Sequence, residues 1–231
     1  MKPRRLKELK QLVASSYEVT AKHFDATRSK TAAVDFLWAA NQIGPDDEVL
    51  DAGCGNGRLL NYNNIEPEKY LGLDQSSVLV DLAAKRYPQH HFIHQSLDDL
   101  SKLPADSFSV IFCSAVIMHL PGKRERRRVL QEFLRLSHHR GRLIISFWKM
   151  ENRYRRELWL TRWRKLSGRH PYGWRDLIFP WRDAQGNELC PRYYHVFTKR
   201  SFKRELNRAG WKIEATRDDR FNYWAIARKG Q

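Results

Sequence analysis

Three glycines within five positions are the first residues of this sequence whose types and spacing suggest chemistry. In EVLDAGCGNGRLL (48–60), Gly53, Gly55 and Gly57 follow directly on an apolar run. A glycine turn between a strand and a helix lets the backbone approach a nucleotide-like ligand closely. A dinucleotide-binding turn needs a further glycine at the place where this chain has Arg58. The turn therefore predicts a nucleotide-like ligand and argues against NAD.

Two aspartates narrow the choice of ligand. Asp51 ends the first predicted strand, and Asp74 ends the next one. A carboxylate at the second place, roughly 20 residues after the turn, can accept hydrogen bonds from both ribose hydroxyls. The turn has no obvious lysine for phosphates, so an adenosine without phosphates suits it. The methyl donor S-adenosylmethionine (SAM) is such a ligand, and we predict that it is the cofactor.

Predicted strands and helices alternate around this turn. Apolar runs predict the strands, and apolar stripes at helical spacing predict the helices. The strands are predicted over 48–50, 70–73, 91–93, 108–113 and 142–147, and the helices over 6–21, 32–42, 78–86 and 123–136. This alternation predicts an α/β fold with a mostly parallel sheet and helices on both faces.

Beyond position 150 the pattern changes. Residues 151–192 are rich in arginine and tryptophan and are interrupted by glycine and proline. A helix is then predicted over 199–208, and strands over 211–216 and 223–227, which we expect to form an antiparallel edge. We predict one domain in four parts: N-terminal helices (1–46), a SAM-binding core (47–149), a basic and aromatic substrate insertion (150–195) and a C-terminal helix with strands (196–231).

A large positive charge indicates the kind of partner. The 231 residues include 42 Lys and Arg against 26 Asp and Glu, a formal net charge of +16. Such a charge attracts polyanions, most often nucleic acid, although acidic small substrates would also explain it. In the insertion, cations suited to phosphates alternate with rings suited to stacking on bases. They are Arg153, Arg155, Arg156, Arg162, Arg164, Lys165, Arg169 and Arg175, with Tyr154, Trp159, Trp163, Tyr172 and Trp174.

Parts of this pattern also fit a purely structural role. Trp159 and Trp163 are four residues apart, a spacing that favours packing against the domain. The basic residues of 123–128 begin a predicted helix and fit a solvated surface. Positive charge at that end opposes the helix macrodipole, which suggests a use for it.

Four motifs between about 48 and 150 resemble the ordered motifs of class I methyltransferases. They are EVLDAGCGNGRLL, YLGLDQS, LPADSFSVIFCSAVIMHL and RLIISFWKM. The resemblance implies a Rossmann-like, mostly parallel seven-stranded sheet with an antiparallel C-terminal edge. It also implies that Gly53, Cys54 and Gly55 approach the amino-acid part of SAM, and that Asp51 holds the ammonium group.

The remaining donor contacts follow from the same resemblance. Asp74 takes the ribose, with Gln75 beside the adenine. One of Asp98 and Asp99 meets the adenine amino group, and the acidic pair leaves the register open by one residue. The predicted set is completed by Ser114 and Ala115 on the far wall and by Tyr17 on the N-terminal helix.

Flanking motifs resemble a narrower family, the tRNA wobble-uridine carboxymethyl methyltransferases. They are SYEVTAKHFDATRSK (16–30), AVIMHL, IISFWKMEN, LIFPWRD and RYYHVF, and the similarity runs from about 17 to 197. That family esterifies the carboxylate of 5-carboxymethyluridine at the first anticodon position. The chain departs from the family at Thr31–Ala33, where a Pro-Trp-Pro step is usual, and at Met118–His119, where two histidines are usual. These departures leave the exact nucleobase open.

Methyl transfer to a carboxylate needs orientation more than proton transfer. A carboxylate with a pKa near roughly 4 is already ionised at neutral pH, so no general base is required. The resemblance and this chemistry indicate Arg28 as a clamp for the carboxylate or a phosphate, and Trp148 as a stacking partner for a flipped uracil. His119, Tyr194 and His195 would hydrogen-bond the base or ribose, although each also fits a structural role.

Two other functions and several partners stay open at this stage. The chain could methylate a small carboxylic acid or amine, or be a non-catalytic RNA-binding or partner subunit with a vestigial SAM fold. Expected partners are the tRNA anticodon loop and, because related eukaryotic enzymes work with one, a small zinc-binding activator protein. Three widely spaced cysteines suggest neither disulfides nor a metal site. No apolar run is long enough for a membrane span, and we expect a cytoplasmic protein.

Overall fold

A seven-stranded sheet lies at the centre of the protein, in a computed structural model that describes residues 2–28, 34–168, 172–183, 185–218 and 221–230. The side chains of Thr27 and Arg28 are outside this description. The described strands are β1 (Val49–Ala52), β2 (Tyr70–Asp74), β3 (His91–His94), β4 (Phe108–Cys113), β5 (Ser137–Trp148), β6 (Asp176–Arg182), β7 (Glu188–His195), β8 (Trp211–Asp218) and β9 (Asn222–Lys229). The described helices are α1 (Pro3–Arg28), α2 (Val34–Ala40), α3 (Ser77–Arg86), α4 (Lys123–Leu136), α5 (Arg155–Leu166) and α6 (Lys199–Ala209).

The strand order of the main sheet is β3-β2-β1-β4-β5-β9-β8. The pairs from β3 to β5 are parallel, whereas β9 runs antiparallel to both β5 and β8. This topology confirms the predicted fold class, including the antiparallel C-terminal edge. Because the carboxyl ends of β1, β2 and β4 meet at one side of the sheet, ligands of such folds bind there.

Alternation along the strands divides the core into two layers. Leu143 and Ile145 of β5 face the layer that contains Phe133 of α4, whereas Ile144 between them packs with Phe36 of α2. The run over β4 is apolar on both faces because both layers cover it. Both faces of the sheet are therefore covered by helices, as the alternating pattern predicts.

Helix α4 shows how the sequence fixes one of these layers. Val129, Leu130, Phe133 and Leu136 are buried at helical spacing and face the sheet. Full burial of a side chain such as Phe133 contributes roughly 1.5–3 kcal/mol. The basic start of the helix is only partly a solvated surface, because Arg126 is buried as well.

The insertion contains regular structure that the sequence does not predict. Its residues form helix α5 and a separate hairpin of β6 and β7. Pro180 and Pro191 lie directly opposite each other in this hairpin. Neither can donate to the ladder, so the pair fits a position without inter-strand hydrogen bonds. The two prolines obscure the strand pattern in the sequence, which explains why the hairpin is missed.

The hairpin packs on the N-terminal helix. Leu9 and Val13 of α1 form a small apolar cluster with Tyr193 of β7. The Cys190 thiol also lies 3.7 Å from the backbone oxygen of Ser16. These contacts join α1 to strand β7 of the hairpin. No described helix is long and apolar enough to cross a membrane.

Candidate active site

The glycine turn that follows β1 has the backbone geometry of a close-approach site. Gly53 has φ 88°, a conformation that glycine adopts readily. A Cβ atom added at Gly53 would lie 2.3 Å from Cγ2 of Val116, so only glycine fits. The N–H groups of Gly53 and Cys54 both donate to the backbone oxygen of Leu73, at 2.8 Å each. The turn is therefore fixed against the end of β2, with no side chain on its outer surface at Gly53.

Asp74 connects the ends of the two strands. Its Oδ2 atom accepts the N–H of Gly55 and its Oδ1 atom accepts the N–H of Ser76, each at 2.9 Å. Burial raises the pKa of this carboxyl above its usual value, and the backbone donors oppose that effect. Each oxygen keeps a second lone pair for an outside donor. The arrangement suits the two hydroxyls of a ribose.

A cavity of about 860 Å³ opens above this turn. Its donor half is lined by Gly53, Gly55, Asp74, Gln75, Ser96, Leu97, Ser114 and Ala115. Ala115 adopts φ 56°, a strained conformation for a residue with a Cβ atom. Its N–H donates to the Ser146 hydroxyl at 3.0 Å, which helps to hold the strained wall in place.

This half of the cavity fits S-adenosylmethionine. The glycine turn leaves room for the ligand, and Asp74 offers two acceptor oxygens for its ribose. Gln75 lies beside Asp74 and also lines the cavity. Glu18 of α1 accepts the N–H of Ser77 at 2.7 Å, and so positions the N-terminal helix beside the same wall. Bound there, the cofactor supplies an electrophilic methyl group.

Asp51 and Cys54 lie behind the turn, with 3% and 6% of their surfaces exposed. The Asp51 carboxylate accepts a hydrogen bond from the Tyr70 hydroxyl at 2.9 Å. Burial, reinforced by the negative charge of Asp74, raises the pKa of Asp51 to about 7. The contact of Asp51 with the ammonium group of SAM stays a prediction.

The structure does not bring Asp98 or Asp99 to the cavity. Asp98 pairs with Lys10 at 3.0 Å and with Arg128 at 3.4 Å, while Asp99 is exposed. The preceding residues Ser96 and Leu97 line the wall instead. The residues at this wall therefore lie one to three positions before the acidic pair, because cations of α1 and α4 hold Asp98 outside the cavity and Asp99 accepts a hydrogen bond from the exposed Ser101 hydroxyl.

The other half of the cavity is a chamber of aromatic side chains around His119. His119 Nε2 lies 2.8 Å from the Tyr17 hydroxyl, and Nδ1 lies 3.3 Å from the backbone oxygen of Tyr193. A carbonyl only accepts, so Nδ1 carries the proton and Nε2 accepts from Tyr17. Burial, with the nearby charge of Arg192, lowers the pKa of His119 to about 3. The imidazole is therefore neutral near pH 7 and holds Tyr17 in place.

Four aromatic rings form a continuous stack beside His119. Tyr154 stacks on Phe179 at 4.7 Å, Phe179 on Tyr194 at 4.9 Å, and Tyr194 on Trp148 at 5.5 Å between ring centroids. Tyr154 and Trp148, at the two ends of the stack, line the cavity. The stack links the end of β5 to the insertion and gives the chamber a rigid wall.

The predicted acceptor residues divide into those at the wall and those behind it. Trp148 and His119 line the cavity, as expected. Tyr194 is fully buried within the stack, and His195 donates to the buried Asp176 carboxylate at 2.7 Å. Successive residues of a strand point to opposite faces, so Tyr194 and His195 could not both face the substrate. The side chain of Arg28 lies outside the described residues.

Sequence reasoning missed Arg192, which lines the chamber on β7. The signal was available, because Arg192 and Tyr194 are two residues apart in RYYHVF and share one face of the strand. Arg58 also lines the cavity, with its guanidinium 4.0 Å from the Phe36 ring centroid.

Two of the basic residues identified in the sequence form contacts within the protein. Arg126 forms a two-bond pair with Glu205, at 2.9 and 3.0 Å, and is 2% exposed. It is a structural residue, which explains a cation near the start of α4. Arg175 binds the backbone oxygen of Val196 at 2.6 Å and the Glu151 carboxylate at 2.9 Å. Both side chains therefore serve the fold.

The expectation that Trp159 and Trp163 pack against the domain is wrong. Their side chains are 56% and 58% exposed, and their rings meet each other at 5.8 Å. They form the outer face of α5 beside exposed arginines such as Arg155 and Arg162. Exposed tryptophans among cations resemble the platforms on which unpaired bases stack.

The sheet and the glycine turn have the arrangement of the class I methyltransferase fold, and the similarities to known proteins support a SAM-dependent methyltransferase. A family model described as a methyltransferase domain matches residues 50–145. A SAM-dependent methyltransferase from Methanosarcina mazei superposes with a TM-score of 0.64 at 22% identity, over 82% of this chain and 95% of that one. The Burkholderia thailandensis 1,6-didemethyltoxoflavin-N1-methyltransferase was solved with S-adenosylhomocysteine. It superposes with a TM-score of 0.67 at 14% identity, over 100% of this chain and 92% of that one.

Sequence comparison places the chain more narrowly. It is 27% identical to the tRNA (carboxymethyluridine(34)-5-O)-methyltransferase of Schizosaccharomyces pombe, over 95% of this chain and 96% of that protein. It is 35% identical to the tRNA (carboxymethyluridine(34)-5-O)-methyltransferase ALKBH8 of Macaca fascicularis over 64% of this chain, but spans only 21% of that protein. The chain is thus a relative of the tRNA carboxymethyluridine methyltransferases.

Proposed function

We propose that this protein transfers the methyl group of SAM to the carboxylate of 5-carboxymethyluridine at the wobble position of tRNA. The observation that carries this proposal is the extent of the similarity to the S. pombe enzyme, 95% of this chain and 96% of that protein. The aligned region therefore includes the insertion that builds the aromatic chamber as well as the donor half. A donor site alone would support a methyltransferase but would not indicate its methyl acceptor.

The chemistry of the chamber agrees with an ionised nucleophile. A carboxylate brings its own negative charge, so the enzyme has no proton to remove. His119 holds its proton on Nδ1 and receives the Tyr17 hydroxyl at Nε2, so its basic nitrogen is already used. The residues then act by orientation, which is the main requirement of a methyl transfer between two held groups.

The aromatic stack at the cavity wall suggests where the wobble uracil would bind. In this proposal Trp148 meets the flipped uracil, while Tyr194 fixes the plane of Trp148 from behind at 5.5 Å. Tyr17, held by His119 at 2.8 Å, presents its hydroxyl group to the same space. Arg28 stays a predicted contact to the acceptor, carried by the resemblance of SYEVTAKHFDATRSK to the family.

The exposed face of α5 gives the anticodon loop a second contact. Tyr154 lines the cavity and directly precedes α5, so Trp159 and Trp163 lie on the helix that leads away from the chamber. Neighbouring bases of a single-stranded loop stack on such rings, while exposed arginines meet the phosphates. This proposal uses both the +16 net charge and the aromatic residues of the insertion.

A small activator protein belongs to the proposal as a second partner. Strand β3 is an edge of the main sheet, and its Ile93 is 38% exposed. An open edge of this kind can pair with another chain. A Haloferax volcanii methyltransferase of the same fold was solved in complex with the Trm112 methyltransferase activator, with a TM-score of 0.62 at 13% identity. A tRNA acceptor also leads us to propose the cytoplasm as the site of action.

The test is a methyl-transfer assay with labelled SAM. The acceptors are an anticodon stem-loop with 5-carboxymethyluridine and the same loop with plain uridine, each digested and analysed by mass spectrometry. Asp74→Ala, which removes the proposed ribose contact, is the inactive control. A methyl ester on the modified loop alone supports the proposal.

The other outcomes identify the alternatives. No product on either loop, with SAM binding intact by calorimetry, contradicts the proposed acceptor, provided that the same result holds with an added activator. Methylation of small carboxylic acids or amines in place of the loop would favour a metabolite enzyme. An absence of SAM binding would favour the non-catalytic RNA-binding subunit.

A further inference from the structure

Arg192 occupies an unusual place in the chamber. Its guanidinium carbon lies 4.1 Å from the ring centroid of Trp181, 5.2 Å from that of Phe179 and 5.4 Å from that of Tyr194. Three aromatic rings thus fix the orientation of one cation that lines the cavity. A guanidinium plane held in this way is prearranged for a partner, because little side-chain freedom remains to be lost.

The guanidinium group of Arg192 has no anionic partner within the described ranges. It forms no hydrogen bond or ion pair there, and its Nε atom is buried without an acceptor. Lys149, another cation beside the cavity, pairs with Asp218 at 2.6 Å. A buried donor without a partner destabilises a protein, and cation–π contacts compensate only in part. An anionic group beside Arg192 would therefore be stabilised.

Arg192 lies on the acceptor side of the cavity. The ring of Tyr194, 5.4 Å from the guanidinium carbon of Arg192, is also 4.4 Å from the His119 ring between centroids. His119 is also in contact with Trp148, at 6.1 Å between ring centroids. Tyr194 also stacks on Trp148 at 5.5 Å, so Arg192 lies beside the same stack as the predicted uracil-stacking ring.

We infer that Arg192 binds the carboxylate of the methyl acceptor and selects an anionic carboxymethyl group over a neutral one. This inference rests on the proposed function. The planar guanidinium matches a carboxylate with two parallel hydrogen bonds, one to each oxygen. Each oxygen then keeps another lone pair, so one of them can still attack the methyl group.

The reaction itself changes the charge that Arg192 holds. A carboxylate oxygen forms the new O–CH₃ bond as the S–CH₃ bond of the sulfonium breaks, and no proton moves. The acceptor loses its negative charge and the donor its positive charge. Arg192 therefore holds the substrate more strongly than the neutral ester, which favours product release.

The test compares two loops that differ only in charge. One stem-loop carries 5-carboxymethyluridine, and the other carries its neutral amide, 5-carbamoylmethyluridine. Their dissociation constants are measured by fluorescence anisotropy with S-adenosylhomocysteine present, together with kcat/KM for the first loop. The variants are Arg192→Gln, Arg192→Lys and a matched control, Arg182→Gln, on the same hairpin at an exposed pair with Glu188.

The expected result is a loss of charge preference in one variant only. Wild type and Arg182→Gln should favour the carboxylate loop over the amide loop by the same factor. In Arg192→Gln that preference disappears, and kcat/KM falls about 10- to 100-fold, the range for a lost charge-assisted pair. Arg192→Lys should be intermediate, because an ammonium lacks the planar fork. Unchanged affinity for S-adenosylhomocysteine shows that the donor half is intact.

Two contrary results have separate meanings. If wild type methylates the carboxylate loop and Arg192→Gln keeps the wild-type preference, the assignment of Arg192 is wrong and the proposed function stands. If wild type methylates neither loop, with or without an added activator, the proposed function is wrong, and the inference fails with it. Should Arg192→Gln not fold, a full wild-type preference in Arg192→Lys would equally contradict the assignment.

Discussion

Substitution of Asp51 by asparagine tests the electrostatics beneath the glycine turn. The carboxyl group is 3% exposed, lies near Asp74 and accepts a hydrogen bond from Tyr70. Burial is the main cause that raises its pKa from 3.8 to about 7. In the unfolded chain the same group ionises near pH 4. Between about pH 4 and pH 7 the native state therefore holds a proton that the unfolded state has lost.

The sign and size of the effect follow from this difference. The contribution to stability is fully present below about pH 4 and is lost as the pH rises to about 7. The slope is about 1.4 kcal/mol for each pH unit well below the native pKa, and because the native group is half ionised at pH 7, the loss from pH 5 to pH 7 is about 2.3 kcal/mol. For a protein of this size that corresponds to about 5–10 °C in Tm. Asp51→Asn removes the titration, so its stability relative to wild type should rise by that amount.

The assay is urea unfolding of both proteins without donor at pH 5 and at pH 7. Any fixed cost of the asparagine amide cancels, because only the change between the two pH values is compared. Asp46→Asn is the control, since Asp46 has a fully exposed side chain, and it should keep the wild-type pH dependence. If wild type and Asp51→Asn lose stability in parallel between pH 5 and pH 7, the buried, protonated Asp51 is refuted.

Binding of SAM should release the proton that Asp51 holds in the native state. A cationic ammonium group near Asp51, as the family resemblance implies, favours the ionised carboxylate. Binding of SAM to wild type at pH 6 should then release up to about one proton, and binding to Asp51→Asn should release none. Calorimetry in buffers of different ionisation enthalpy measures this release. Equal release by both proteins would contradict the predicted contact.

Three further predictions concern residues outside the donor site. Glu205→Ala should lower the free energy of unfolding by about 3–5 kcal/mol, because Arg126 stays buried without its carboxylate; a urea titration showing a loss below about 1 kcal/mol would contradict this. Trp159→Ala combined with Trp163→Ala should weaken tRNA binding about 10-fold or more at unchanged Tm, and equal affinity in a filter-binding assay would exclude these rings from the RNA contact. At saturating substrates, kcat should show no step from His119 between pH 6 and pH 8, since its pKa is lowered to about 3; a step abolished by His119→Asn would show that the imidazole titrates.

Most of the main sheet could be predicted from the sequence. The strand predicted over 108–113 and the helix predicted over 123–136 have the same bounds in the structure. Apolar runs and helical stripes are local patterns, so each strand or helix can be predicted without knowing what packs against it. The glycine turn and Asp74 are also local, because the backbone geometry of the turn demands glycine wherever the rest of the chain lies.

The insertion could not be predicted in the same way. Pro180 and Pro191 interrupt the alternation of its two strands, and the tryptophans of α5 follow a core-like spacing although they face outward. The direction of a helix face depends on what packs against it, and an isolated segment does not contain that information.

The sequence by itself determined most strands and helices of the main sheet, the glycine turn and the kind of ligand it suits, because these depend on residues that are near one another in the chain. Tertiary structure alone decided which side chains form the acceptor chamber. Tyr17 reaches His119 across 102 positions, and Arg126 reaches Glu205 across 79. The packing of β7 on α1 determines that Arg192 lines the cavity. Long-range packing fixes these contacts, so residue type and spacing show what a side chain can do but not what it meets.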